Sequence, residues 1–216
     1  MKKTLSILLA AVMLTCSFSA CGKHTSSSST NTVTGESRKG ESAEDALREI
    51  YDAVYTADSG EVCLSYMYPQ LTISALKEQG LYDTSVQNYN TGQKGYIDLI
   101  EQKPEIISID KTTAFTEEQL KAANEYFAAV SAQAGIYTRS SSFNAVEGYQ
   151  FDCTVTNTIG EQESDVECMI YLENDGWKNV PFSIEGLTSI ADSYDEDKEI
   201  SALEEAGAEE SGVNAN

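Results

Sequence analysis

Side chains able to act as nucleophiles or as general bases are few in this chain of 216 residues. Its one histidine, His24, lies near the N-terminus, ahead of the part that we expect to fold. That part can therefore assemble neither a Ser/His/Asp nor a Cys/His triad, and it has no histidine for a zinc site. Metal-ligand and general-base roles would fall to carboxylates alone. We expect no metal and no cofactor.

Two cysteines lie within alternating β patterns. Residues 149–156 and 166–172 alternate apolar and polar side chains, which predicts two half-buried antiparallel strands. A turn centred on Gly160 and Glu161 would pair Cys153 with Cys168, with both on the core side. A disulfide between them is one alternative, and two buried free thiols are the other. Cys63 is expected to be buried in a helix without a base to activate it.

The remaining elements follow from helical spacing and turn signals. The residues Asn174, Asp175 and Gly176 predict a second turn, after which 177–184 returns as a third strand. Ser42 begins a helix over 42–55, and a second helical stretch, 60–79, must be interrupted at Pro69. We expect a loop over 80–94, a short strand at 106–109, and a helix that starts at the Thr116–Gln119 capping box and ends at Gly135.

The N-terminal segment predicts export. Lys2 and Lys3 precede an apolar run over 5–14 that is too short to span a bilayer as a helix. Residues 18–21, Phe-Ser-Ala-Cys, resemble the lipobox of bacterial lipoproteins, and by that resemblance Cys21 carries the diacylglyceryl and palmitate-type acyl chains. The competing interpretation is a secretory signal cleaved after Ala20. We expect a signal peptide over 1–20 and, over 21–41, a lipidated cysteine with a flexible Ser/Thr-rich tether.

Charge limits the classes of partner. The formal net charge is −21 and the sequence pI is near 4.2, which opposes binding to nucleic acid. Residues 42–184 hold enough apolar side chains for one domain. Residues 185–216 are acidic with few large apolar side chains, and we expect a disordered tail there. Its carboxylates lack the spacing of an EF-hand.

The order of elements resembles the cystatin-like, nuclear-transport-factor-2-like domains of small bacterial lipoproteins. The most recognisable parts are Asp-Gly-Trp-Lys at 175–178 and the helix start at 115–127. The resemblance implies an α+β fold in which a curved antiparallel sheet packs against about three helices as a cone with a pocket at its open end. Tyr55, Tyr66 and Tyr126 would lie near that opening, and we treat them as a ligand-binding hypothesis. Enzymes with this fold commonly use an Asp/His pair or a buried acid with tyrosine.

The sequence thus favours a lipoprotein anchored on the outer face of the cell membrane, non-catalytic, that binds a protein partner or a small ligand. One alternative is an enzyme with a tyrosine and a carboxylate in the cone pocket. A second is a solute-binding component of a transporter. A deep, apolar-walled cavity with a buried acid of raised pKa would favour the enzyme, and a filled cone with an exposed aromatic patch would favour protein contact.

Overall fold

The structure, a computed structural model, describes residues 41–201. Cys21, its tether and the end of the acidic tail lie outside the described residues. The helices and strands follow in the order α1 (Ala43–Val54), α2 (Gly60–Met67), α3 (Gln70–Glu78), α4 (Tyr82–Ile97), β1 (Glu105–Ala114), α5 (Glu117–Gln133), β2 (Ala145–Thr156), β3 (Gln162–Leu172), β4 (Gly176–Val180) and α6 (Ile184–Ser193). The strands form one open antiparallel sheet in the order β1-β2-β3-β4. The expected α+β class and antiparallel sheet are confirmed.

The predicted register of the β2–β3 hairpin is wrong by three residues. The hairpin closes at the pair Thr156 and Gln162, so its loop covers residues 157–161. The side chain of Asn157 accepts hydrogen bonds from the backbone N–H groups of Ile159 and Glu161 at 3.1 and 2.9 Å, and Gly160 takes a φ of +81°. This asparagine-organised loop is longer than the two-residue turn that we expected.

An odd register shift moves the apolar residues of the two strands to opposite faces of the sheet, because side chains alternate with a period of two. Phe151 lies opposite Glu167, Cys153 opposite Asp165 and Val155 opposite Glu163. The sheet accordingly has two cores. The face that carries Phe151, Cys153, Val155, Met169 and Trp177 packs against α1 and α2, and we call it the α1 face. The face that carries Cys168, Ile170, Leu172 and Val180 packs against α5 and α6, and we call it the α5 face.

Both predicted helix starts are confirmed. Ser42 Oγ accepts from the N–H of Asp45 at 3.1 Å and caps α1. Thr116 and Gln119 form the reciprocal capping box of α5, with bonds of 3.3 and 2.8 Å. Pro69 separates α2 from α3, as its missing N–H requires. The two helices that cover the two faces therefore begin where the sequence predicts.

The loop that we expected over 80–94 is instead helix α4. Its polar side chains dock on the ends of other helices. Gln93 is buried, and its Nε2 donates to the carbonyl oxygens of Ala53 and Val54 at 2.8 and 2.9 Å. Asn90 Oδ1 accepts from the N–H of Gly60 at 2.7 Å. These amides bond to backbone groups at the ends of other helices, which periodicity of apolar residues cannot reveal.

The expected disordered tail is wrong for its first part. The third strand that we expected over 177–184 ends earlier, because Pro181 follows β4, whose last residue is Val180. Ser183 Oγ then caps α6 by accepting from the N–H of Gly186 at 3.3 Å. Leu187 is 0% exposed and Ala191 is 3% exposed in the core of the α5 face. The domain therefore continues past residue 184 into a helix that completes this core. Residues 196–201 are helical as well, and the rest of the tail lies outside the described residues.

The Asp-Gly-Trp-Lys stretch has a structural role. Lys178 Nζ lies 2.6 Å from Asp175 Oδ1 and donates to the carbonyl oxygen of Ser65 at 2.8 Å. Asp175 Oδ2 accepts from the N–H of Gln70 at 2.7 Å. Lys178 is 4% exposed, so this ion pair is buried. It joins the β3–β4 turn to the junction between α2 and α3.

Candidate ligand-binding site

A cavity of about 160 Å³ lies between α1, the end of the β2–β3 hairpin and the C-terminal half of α5. Its apolar wall includes Leu47, Ile50 and Val54 of α1 and Val130 of α5. A cavity on the order of 150 Å³ accommodates a molecule the size of benzene. The site therefore has room for a small molecule or for a short side chain, with apolar surface on one side.

Three carboxylates line the opposite side. Glu163, Asp165 and Glu167 alternate along β3 and therefore point to one face of the sheet, the α1 face. Their cross-strand partners are the buried Val155, Cys153 and Phe151, so these acids share a surface with the apolar core. Among the described residues, those that line the cavity include no lysine, arginine or histidine.

Burial and mutual repulsion perturb these acids. Burial, together with a smaller contribution from the charge of Asp165, raises the pKa of Glu167 to about 8. Burial likewise raises the pKa of Asp165, with the charge of Glu163 acting in the same direction. Asn179, itself buried, donates from Nδ2 to Glu167 Oε2 at 2.9 Å and partly offsets the shift. Glu167 therefore changes protonation state near neutral pH, where an ordinary glutamate is fully ionised.

Tyrosine rings line the same cavity. Tyr51 of α1 and Tyr55, the residue that follows α1, have ring centroids 5.5 Å apart, and the ring centroid of Tyr55 lies 6.2 Å from that of Tyr96 of α4. Burial raises the pKa of Tyr51 and of Tyr55 well above the usual range, and the charges of Asp165 and Glu167 add to the shift. The hydroxyls therefore stay protonated, and the rings present a neutral aromatic surface to the carboxylates.

The structure brings together two of the three tyrosines that we predicted to bind a ligand. Tyr55 and Tyr126 line the cavity. Tyr66 does not, because its hydroxyl donates to Glu49 Oε2 at 3.0 Å and its ring packs in the core of the α1 face. Helical spacing placed all three on inward faces but could not tell which inward face borders the cavity. Cys21, the predicted lipidation site, lies outside the described residues.

The cross-strand cysteine pair does not exist. Cys153 lies opposite Asp165 and Cys168 lies opposite Gln150, so the two thiols are on opposite faces of the sheet. Cys63, Cys153 and Cys168 are free and buried, and burial raises the pKa of each thiol. The alternative of buried free thiols is therefore the one that the structure supports, and none of the three is activated as a nucleophile.

Sequence reasoning missed Glu163, Asp165, Glu167, Tyr51 and Tyr96 as cavity residues. The signal for the acids was present, since every second residue from 161 to 167 is acidic. A solvated strand face produces the same alternation, and the wrong register assigned these acids to it. In the described part of the chain, His, Cys, Asp and Glu side chains nowhere gather in threes as metal ligands would. Between residues 41 and 201, no helix has the length and apolar content needed to span a bilayer.

Comparisons with protein-family models, with curated proteins and with solved structures gave no significant match. The function of this chain is therefore inferred from its own residues.

Proposed function

We propose that the protein is an extracytoplasmic lipoprotein, anchored to the cell membrane through Cys21, whose folded body binds a small ligand. The sequence left open a protein partner or a small ligand. The cavity beside α1 favours the small ligand, because its apolar wall, tyrosine rings and carboxylates converge on a volume of about 160 Å³. A large protein partner would instead need an extended surface of contact.

The anchor rests on the sequence. Residues 18–21 carry the small-residue and cysteine pattern, and the Ser/Thr-rich stretch that follows would separate the folded body from the membrane. Metabolic labelling with a palmitate analogue tests this part. We expect label on the wild-type chain and none on Cys21→Ser, which would be released from the membrane fraction. Equal labelling of both chains would contradict the anchor.

We further propose that the cavity corresponds to the open end of a cystatin-like cone. Two irregularities in the β1–β2 pairing, between Ile106 and Ser108 and between Ile109 and Lys111, support curvature of the sheet at this end. The helices α1 and α2 would lie inside the curve. The helices on the α5 face are then an addition to the simple cone.

A fragment library of mixed charge, observed by ligand NMR on the full chain in a non-ionic detergent, tests the small-ligand function. We expect fragments that bind wild type and fail to bind Val130→Trp, because an indole ring at this position fills the cavity. Val146→Trp is the matched control, since Val146 is 48% exposed and does not line the cavity. Fragments that bind both variants equally, or no binding fragment at all, would contradict the function.

One observation favours an enzyme as second candidate. Glu167, with its pKa raised to about 8, lies in an apolar-walled cavity with tyrosines, and such an acid can take up or release a proton near neutral pH. The two candidates differ in the fate of the ligand. A binding protein returns its ligand unchanged after prolonged incubation, whereas an enzyme yields product at a rate that Glu167→Gln lowers.

A further inference from the structure

We infer that the ligand of the cavity is a small organic cation, an alkylammonium group held between the β3 carboxylates and the rings of Tyr51, Tyr55 and Tyr96. This inference rests on the proposed small-ligand function and names the chemical class of the ligand.

The charge balance of the cavity points to a cation. Asp165 and Glu167 are half-buried, and in the described part of the chain neither forms an ion pair. Glu167 has one bond, from Asn179, and Asp165 accepts only from the N–H of the adjacent Val166 at 2.9 Å. When they are ionised, partly buried carboxylates without a countercharge destabilise a fold. A ligand cation would supply that countercharge inside the cavity.

The aromatic surface of the cavity also suits a cation. Three tyrosine rings border the cavity, with the centroid spacings given above, and the π-faces of such rings attract cations. An apolar wall that includes Ile50 and Val54 completes the surroundings. Carboxylates alone would suit any cation, but rings together with aliphatic groups suit one that carries carbon substituents.

The spacing of the three acids does not suit a small metal ion. Residues two apart on a strand are separated by roughly 6.6 Å, so the three acids spread along the cavity and do not converge on one point. Within the described residues, which include these three acids, no cluster of three or more His, Cys, Asp or Glu side chains could hold a metal ion. An alkylammonium ion is large enough to contact carboxylates at this spacing.

Protonation supports the inference, because affinity should rise with pH as Glu167 ionises. Its own strand adds Glu163 and Asp165, and the pKa of Asp165 is also raised. Other titratable groups near Glu167 also have pKa values raised by burial and stay neutral. On the α1 face and in the cavity these are Tyr51 of α1, Tyr55 at the end of α1, Tyr126 of α5 and Cys153 of β2. Cys168, the next residue on β3, points to the opposite face and its pKa is raised as well. A change in affinity at about pH 8 would therefore be due to ionisation of the carboxylates.

Calorimetric titration of the full chain in non-ionic detergent tests the inference. The probes are choline, tetramethylammonium and butylammonium, with 3,3-dimethylbutan-1-ol as the uncharged isostere of choline. At about pH 9 we expect at least one ammonium ion to bind about ten-fold more tightly than the isostere. At about pH 6 the same ion should bind about ten-fold more weakly than it does at about pH 9. Glu167→Gln should remove most of that preference. Glu161→Gln, a change at an exposed acid outside the cavity, should leave it intact.

The inference is overturned if the isostere binds as tightly as every ammonium ion, or if none of the four probes binds. Its failure is separable from failure of the proposed function. If the fragment library yields neutral or anionic ligands that Val130→Trp excludes, the small-ligand function stands and only the cation is wrong. If the library yields nothing as well, both are wrong.

Discussion

The two faces of the sheet are both covered by helices, but the carboxylates that line the cavity all lie on one of them, the α1 face. On the α5 face, Phe127, Cys168, Ile170, Val180 and Leu187 are each 0% exposed. On the α1 face, the packing of α1 on β2 and β3 is interrupted by a cavity lined by carboxylates and tyrosines. One sheet thus combines a close-packed core with a face that leaves space and places charge beside apolar groups.

The difference indicates where stability and function are divided. Close packing without voids is what folding alone favours, so the α5 face needs no further explanation. Charges opposite Phe151, Cys153 and Val155 lower stability, and such local conflicts are expected at functional sites. We expect changes on the α5 face to weaken the fold and changes of the acids on the α1 face to strengthen it.

The largest effect should come from the α5 face. Phe127→Ala removes a ring that contacts Tyr126 and Phe143, and should lower the free energy of unfolding by about 3–5 kcal/mol. Val54→Ala, beside the cavity, should cost only about 1 kcal/mol because its side chain is half-buried. Urea denaturation measures both. A cost for Phe127→Ala no larger than that for Val54→Ala would contradict close packing around Phe127.

A smaller effect of opposite sign should come from Glu167→Gln. Because the folded-state pKa of Glu167 is raised from 4.5 to about 8, the folded chain holds a proton that the unfolded chain has lost between these values. The penalty is absent below about pH 4.5 and complete above about pH 8. The variant should therefore gain about 1–3 kcal/mol over wild type at about pH 9 and little at about pH 5.

Denaturation at these two pH values checks this prediction, with Glu161→Gln as the control for loss of one surface charge. If Glu167→Gln is no more stable than wild type in alkaline buffer, ionisation of Glu167 does not destabilise the fold.

The helix caps of the two faces offer a finer comparison. Thr116 takes part in a reciprocal box, whereas Ser42 donates its own proton to Asp45 Oδ2 at 2.7 Å. Thr116→Ala should cost about 1–2 kcal/mol and Ser42→Ala about 0.5–1 kcal/mol. Thermal unfolding compares them, and Thr116→Ser should restore most of the loss. A larger loss for Ser42→Ala would reverse the assignment of the stronger cap to α5.

The smallest expected effect is no change at all. Because Cys153 and Cys168 lie on opposite faces, reductant should not increase the number of thiols that react in the denatured chain. Maleimide labelling followed by mass spectrometry counts them. Two additional reactive thiols after reduction would mean that the two strands pair in the other register.

Local chemistry predicted much of the fold and little of the site. The caps at Ser42 and Thr116 and the break at Pro69 act over a few residues, and the sequence predicted each of them. The predicted sheet register was wrong because the side chain of Asn157 organises a five-residue loop. This single error placed the acids of β3 on a solvent-exposed face. Helices α4 and α6 were not predicted, because tertiary contacts stabilise these polar segments.

A carbon-detected NMR titration of the Glu167 carboxyl group, assigned by its disappearance in Glu167→Gln, tests the central claim most directly. We predict a midpoint near the value of about 8 that burial beside Asp165 produces, in the absence of any ligand. A midpoint near the ordinary value of 4.5 would mean that the carboxyl group is solvated. Ionisation of Glu167 would then cost the fold no stability, and a cationic ligand would have no buried charge to compensate.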